Sequence, residues 1–209
     1  MIELYHCPDA RSFRCLWALE ELGLEYRLHR LPFPPRVKAP EYLKINPTGT
    51  IPLLLDGEVR MDESSAIIQY LAVRYGPSPL AVDPSEPDYG AWLNWLHFGE
   101  ATLSTPLATA LRYGVFEPEE RRIPEVADHF CKVFLNRLSP VEAKLEQAEY
   151  LCAGRFTMAD ISVGYSVQLC RALGLDTRLP PAVKDWWARL QQRPGYKAAR
   201  AAQKPPVTA

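Results

Sequence analysis

Between Asn46 and Ile67 the chain carries two signals whose residue types could hold a small peptide. The first is Ile51-Pro52, placed after a turn cluster of Asn46, Pro47 and Gly49 and before a short apolar run. A proline at a strand start cannot donate to a ladder. A cis Ile51-Pro52 bond would turn the Ile51 backbone outward, ready to pair with an extended chain. The second signal is Glu63-Ser64 at the start of an apolar helix, where free N–H groups and the helix dipole favour an anion. Asp56-Gly57 joins the two as a tight hairpin turn. Each signal alone has a plain structural explanation, an edge proline or a helix cap. At this separation, in one strand–turn–strand–helix unit, they describe a receptor for a peptide that carries both an amine and a carboxylate.

The elements that must position these residues follow from periodicity. Ile2 to His6 reads as a short buried strand. Phe13, Leu16, Trp17, Leu19 and Leu22 recur at helical steps until Gly23 closes the helix. Glu25 to Leu31 alternates as a second strand, and Pro32 to Pro40 is a proline-rich loop followed by one helical turn, Glu41 to Lys44. Strands Ile51–Leu55 and Glu58–Met61 then lead into a helix from Glu63 to Arg74. The order is βαβ and then ββα. Gly76 to Pro87 holds four prolines and reads as a linker. Beyond it the pattern is helical only: a first helix marked by Trp92, Trp95, Leu96, Phe98 and Leu103 that Pro106 should kink or end, a second within Ile123–Tyr150, and a third, Ile161–Leu173, apolar nearly all round and therefore central. Ala182 to Gln191 and a short piece after Pro194 complete the set. Thr157 and Asp160 can form a capping box at the start of the central helix.

These segments resemble the glutathione transferases. The run Asp62-Glu63-Ser64-Ser65-Ala66-Ile67 is similar to the family's "DESxAI" turn, and Ile51-Pro52 to its cis-proline. Arg11-Ser12-Phe13-Arg14 with Leu16-Trp17-Ala18-Leu19-Glu20-Glu21-Leu22 looks like "SRSxR…LWLLEEL", and Thr157 to Asp160 like its "(S/T)xAD" box. The resemblance covers about residues 1–200. It implies an α/β, thioredoxin-like N-terminal domain with a mixed four-stranded sheet over residues 1–76, a linker over 77–87, an all-α bundle over 88–203 and a frayed tail over 204–209. It also implies glutathione as co-substrate, read by Ile51, Pro52, Glu63, Ser64 and Lys38. A small apolar electrophile would meet a pocket of Trp95, Leu103, Leu107 and Tyr113, and the protein would be a homodimer.

The family's reaction needs a thiolate, while a free cysteine titrates near 8.5. A hydroxyl at the first helix's N-terminus, aided by the dipole and a cation, can hold the anion. Ser12 is the candidate donor and Arg11 the candidate cation. Ala10 stands where the family pattern has another serine, and Thr50 where many relatives carry Lys or Gln. Cys7 is the alternative: Cys7-Pro8-Asp9-Ala10 resembles the Cys-Pro-x-Ala turn of omega-class transferases, and a thiol there could form a mixed disulfide with glutathione. Three functions therefore stay open: conjugation of glutathione thiolate to an electrophile, Cys7-dependent thiol transfer or disulfide reduction, and non-catalytic binding.

Bulk properties narrow the field. At 209 residues and 47% hydrophobic content the chain can build a real core. A net charge of −1 without a Lys/Arg block argues against nucleic acid. No apolar run approaches the roughly 18 residues of a membrane helix, and the N-terminus lacks a signal-peptide layout. Five cysteines without ligand spacing suit a reducing cytoplasm and no metal site. The four histidines are isolated in sequence and suggest neither a metal nor a triad.

Overall fold

The computed structural model describes residues 1–204; of the tail expected to fray, only Lys204 lies among them. Among the described residues two compact units form: residues 1–81 together with 191–204, and Val82–Leu190.

The first unit is built on a four-stranded mixed sheet. Its strands are β1 (Ile2–His6), β2 (Tyr26–Arg30), β3 (Leu53–Asp56) and β4 (Val59–Met61), in the order β2-β1-β3-β4. β1 runs parallel to β2 and antiparallel to β3, with Tyr5 opposite Leu53. Helix α1 (Ser12–Leu22) makes the crossover and ends at Gly23, whose φ of 63° is the left-handed conformation glycine adopts freely. The Leu24 N–H then reaches back to the Leu19 carbonyl and closes the helix end. A four-residue helix α2 (Pro35–Lys38) and a 3₁₀ turn (Pro40–Lys44) fill the proline-rich connection. Helix α3 (Ser64–Arg74) follows the β3–β4 hairpin.

In the second unit, α4 (Tyr89–His97) runs through a π-helical stretch, Phe98–Ser104, into α5 (Thr105–Leu111). The helical run continues to Leu111: Pro106 does not end the helix, one of the two outcomes expected of it. Its missing N–H leaves the Thr102 carbonyl without a helical partner, and the Arg137 guanidinium donates to that oxygen at 3.0 Å. The hydroxyls of Ser104 and Ser166 both donate to the Gly99 carbonyl, at 3.0 and 2.8 Å, where the ladder widens. The expected second helix divides into α6 (Pro124–Asn136) and α7 (Ser139–Leu145), because Pro140 cannot continue the ladder. Helix α8 (Met158–Cys170) is buried on every side except at Leu169. Its capping box is formed: the Ala159 N–H donates to Thr157 Oγ1 and the Thr157 N–H to Asp160 Oδ2. Asp160 Oδ1 also accepts from the Leu151 N–H and from Trp186 Nε1 of α9 (Pro181–Gln192). Burial pushes this carboxyl up to about 6 against the pull of those donors.

The last helix, α10 (Pro194–Ala202), corrects the domain boundary. The sequence places it with the helical bundle by contiguity, but it packs on α1 in the first unit. Tyr196 sets its ring edge-on against Phe13 and Trp17, at 5.8 and 5.0 Å. Arg193 grips the Glu21 carboxylate with two nitrogens, at 2.9 and 2.8 Å, while Trp17 Nε1 donates to the same group. No helix among the described residues is long and apolar enough to cross a membrane.

Gly195 lies where α10 passes close to Glu21 of α1. A Cβ there would lie 2.6 Å from the Glu21 side chain, which three hydrogen bonds hold in place. Gly195→Ala should therefore lower unfolding free energy by about 1–3 kcal/mol, read as a reduced urea midpoint. An unchanged midpoint would show that Glu21 moves aside freely.

Candidate functional site

The turn after β1, the Ile51–Pro52 segment and the start of α3 converge within the first unit. Tyr5, Cys7, Tyr42, Ile51 and Leu53 form one buried cluster, against which Ala10 packs. Arg14 of α1 reaches Ser64 at the start of α3.

The Ile51–Pro52 bond is cis. The preceding carbonyl, that of Thr50, is held by the Tyr42 hydroxyl and by Asn46 Nδ2, both at 2.9 Å. The next peptide is left open: neither the N–H nor the C=O of Ile51 has a partner among the described residues. A backbone N–H and C=O left unpaired just before β3 suit an extended ligand that adds its own N–H and C=O.

At α3, Glu63 is the N-cap in extended conformation (φ −92°, ψ 113°), with an exposed side chain that does not cap the helix. The N–H groups of Ser64, Ser65 and Ala66 donate to nothing among the described residues. Ser64 is only 2% exposed, and its hydroxyl accepts from Arg14 Nη1 at 3.3 Å. Three free N–H groups, a hydroxyl and a dipole thus meet at a place that takes a carboxylate, beside a carboxylate (Glu63) that can take an ammonium.

Both sequence candidates for sulfur chemistry point inward. Ser12 is fully buried. Its Oγ lies 2.8 Å from His6 Nδ1, accepts from the Cys7 N–H at 3.2 Å and sits 3.3 Å from the Cys7 carbonyl. The hydroxyl braces the turn and offers no surface to a ligand. Cys7 is also fully buried, with Sγ 3.6 Å from the Pro32 carbonyl, and burial pushes its thiol up to about 12. A thiol so placed is a poor nucleophile. Asp9, at φ 57°, exposes the tip of the turn and is held by α10: its N–H donates to Gln203 Oε1 at 3.1 Å, and its carboxylate accepts from Gln203 Nε2 and Arg200.

Comparison with known proteins decides the lineage. The family model for the glutathione S-transferase N-terminal domain matches residues 10–74, and that for the C-terminal domain matches residues 105–194. The chain belongs to the glutathione S-transferase family. It is 32% identical to the probable glutathione S-transferase GSTF2 of Oryza sativa subsp. japonica, over 93% of each chain. It is 30% identical to the disulfide-bond oxidoreductase YfcG of Escherichia coli (strain K12), over 93% of this chain and 92% of that one. A crystal structure of the glutathione transferase URE2P6 from Phanerochaete chrysosporium, in complex with oxidized glutathione, superposes with a TM-score of 0.83 at 29% identity over 97% of each chain.

Within this glutathione S-transferase fold the remaining candidates separate. Arg11 is half-buried at the N-cap of α1, and Lys38 is exposed at the end of α2. Of the four residues expected to face an electrophile, Leu103 and Leu107 have no exposed surface. They belong to the core of the helical unit, in which the π-helical stretch packs on α8 and α5 chiefly on α6. Trp95 and Tyr113 keep part of their surface, with Trp95 edge-on to Phe98 and the Arg112 guanidinium 5.7 Å above the Tyr113 ring. Sequence reasoning missed His6, which it took for an isolated strand end. The signal was its place one residue before Cys7 and six before Ser12, on the strand that opens the turn.

His6 is fully buried, and burial pushes its imidazole down to about 4 from an ordinary 6.5. Its Nε2 has no hydrogen-bond partner among the described residues, and the Gln203 side chain and the Asp9 carboxylate, which favour the protonated form, do not offset burial. Between pH 6.5 and 4 the unfolded chain therefore binds more protons at this position than the folded one. The His6 contribution is whole above pH 6.5, falls as the pH drops, and levels off below 4, a loss of about 3 kcal/mol in all. Urea midpoints taken from pH 7.5 to 4 should fall more steeply for the wild type than for His6→Asn. Parallel profiles would place the titration elsewhere.

Proposed function

We propose that this protein binds glutathione in the first unit and directs its thiolate onto small apolar electrophiles. One observation carries the reading: the unpaired Ile51 peptide stands in the same unit as the unpaired first turn of α3 and the exposed Glu63 carboxylate. Glutathione matches those groups one for one. Its cysteinyl N–H and C=O pair with Ile51, its γ-glutamyl carboxylate takes the Ser64 end of α3, and its ammonium faces Glu63. Lys38 meets the glycine carboxylate from the exposed end of α2.

The sulfur then falls at the N-terminus of α1. With the hydroxyl of Ser12 turned inward, the thiolate is held by the positive end of the α1 dipole, by the Ser12 backbone N–H and by the charge of Arg11. Ser12 contributes by bracing the turn. Catalysis consists of lowering the thiol pKa and positioning the sulfur for attack. A two-fold dimer in the cytoplasm completes this reading and rests on family likeness alone.

The likeness to the Escherichia coli oxidoreductase favours a second reaction at the same site. The bound thiolate can attack a disulfide sulfur instead of carbon, forming a glutathionyl mixed disulfide and expelling the other half as a thiolate. No protein cysteine takes part, so Cys7→Ala should leave either reaction intact.

The bound-thiol titration tests both. Thiolate absorbance of glutathione on the protein should give a pKa about one to two units below the free value. Ser12→Ala should leave that pKa within about half a unit while lowering stability by about 1–2 kcal/mol. Return of the pKa to the free value in Ser12→Ala would make the hydroxyl the thiolate donor. An unshifted wild-type pKa, or no binding, would remove the transferase reading.

A further inference from the structure

Thr50, the residue just before the open Ile51 peptide, belongs to a closed ring of hydrogen bonds whose direction is fixed. Its carbonyl accepts from the Tyr42 hydroxyl and from Asn46 Nδ2, both at 2.9 Å, and Nδ2 also donates to the Tyr42 oxygen at 3.4 Å. Turning the Asn46 amide over would set its oxygen against the Thr50 carbonyl, so Nδ2 faces Thr50 and Oδ1 faces Thr48. Asn46 is only 3% exposed, and the one donor that reaches Oδ1 among the described residues is the Thr48 hydroxyl, at 3.0 Å. A hydroxyl carries a single proton. With that of Thr48 committed to Asn46, the 2.7 Å contact between the Thr48 and Thr50 hydroxyls must be donated by Thr50. The Thr50 oxygen is left with lone pairs alone, and Thr50 is exposed. Gly49, the residue before it, lies against α2: a Cβ there would stand 2.7 Å from the Cβ of Arg36. In the glutathione reading the γ-glutamyl end lies at α3 and the cysteinyl group at Ile51, so the glycine end runs on toward α2 and passes Thr50.

We propose that Thr50 is a specificity-determining residue: it offers the glycine end of the bound peptide an acceptor and no donor. It thereby favours a thiol peptide whose last group can donate, an amide or an amine, over one that ends in a carboxylate. The inference rests on the glutathione reading and refines it. An uncommitted threonine would serve either group, turning its proton toward the ligand or away from it. In the ring that rotation breaks the bond to Thr48. Because each bond in such a ring polarises the next, the loss extends to the bonds that hold the Thr50 carbonyl.

The test is calorimetric titration with glutathione and with its glycine carboxamide, in which an amide replaces the terminal carboxylate. The readout is the ratio of the two affinities across variants, in which any contribution of Lys38 is constant. Thr50→Val keeps the branched shape and removes the acceptor. It should weaken the carboxamide about threefold or more relative to glutathione. Thr50→Ser, which keeps the hydroxyl, should hold the wild-type ratio. Thr48→Val removes the acceptor for the Thr50 proton and frees that proton for the ligand, so the ratio should move toward glutathione. In a Thr50→Val background the same change should leave the ratio where it is. Urea midpoints check that each variant folds, and where Thr48→Val does not, the two Thr50 variants decide. An unchanged ratio in Thr50→Val would overturn the proposal and leave the glutathione reading standing. Failure of the wild type to bind either peptide would remove both.

Discussion

An unpaired peptide next to a sheet is the constraint around which the first unit is arranged. The Ile51 N–H and C=O have no partner among the described residues, and pairing them within the protein would need the chain to shift. Tyr42 and Asn46 prevent that shift by holding the Thr50 carbonyl from two directions, and Asn46 also donates to the Tyr42 hydroxyl at 3.4 Å. Gly49 lets the chain turn into this grip: at φ 61°, with the Arg36 and Leu43 side chains under 3 Å from a Cβ built there, no other residue fits without displacement. The proline connection and its 3₁₀ turn, which carry no chemistry of their own, are thereby tied to the site.

The turn after β1 is held by a different device. Polar side chains do there what a ladder does elsewhere. Ser12 satisfies the Cys7 N–H from inside, and His6 satisfies Ser12. From outside, Gln203 takes the Asp9 N–H and returns a bond to the Asp9 carboxylate. The outer half of this brace comes from α10, close to the last described residue, although the turn lies near the first. The position of α10 against α1, fixed by Tyr196 and the Arg193–Glu21 pair, is therefore part of what shapes the thiol end of the site. A change that loosens α10 would be felt as a loss of turn geometry before any residue near the ligand is altered.

What could be read from sequence and what could not divide along the same line. Ile51-Pro52, the Asp56-Gly57 hairpin, Glu63-Ser64 and the Thr157–Asp160 box were legible because each is decided within a few residues by turn chemistry or capping. The four-stranded sheet followed from the order of those elements. The direction of the Ser12 hydroxyl was not legible, since it depends on His6 from the preceding strand and on a Cys7 N–H that needs an acceptor. The facing of Leu103 and Leu107 was lost for a second reason. A π-helical stretch shifts the phase of the residues after it, so resemblance alone could not fix which side they face. Placing α10 failed for a third: Glu21 and Gly195 meet across nearly the whole chain, and contiguity assigned the helix to the bundle that precedes it.

The cis Ile51–Pro52 bond and the Glu63 cap could be read locally, whereas the inward turn of Ser12 and the burial of Cys7 could not, and the difference has a physical cause. The availability of backbone groups at Ile51 and at the start of α3 follows from local chain geometry that proline, glycine and cap residues announce. The sulfur is governed by burial and field, which arise only when distant segments pack. Cys7 makes the point within one residue. By local sequence it is a thiol ahead of a helix N-terminus, where the dipole should lower its pKa; in the folded chain, burial dominates and pushes it up to about 12. Desolvation and dipole act on the same atom with opposite sign, and only the packed structure decides which is larger.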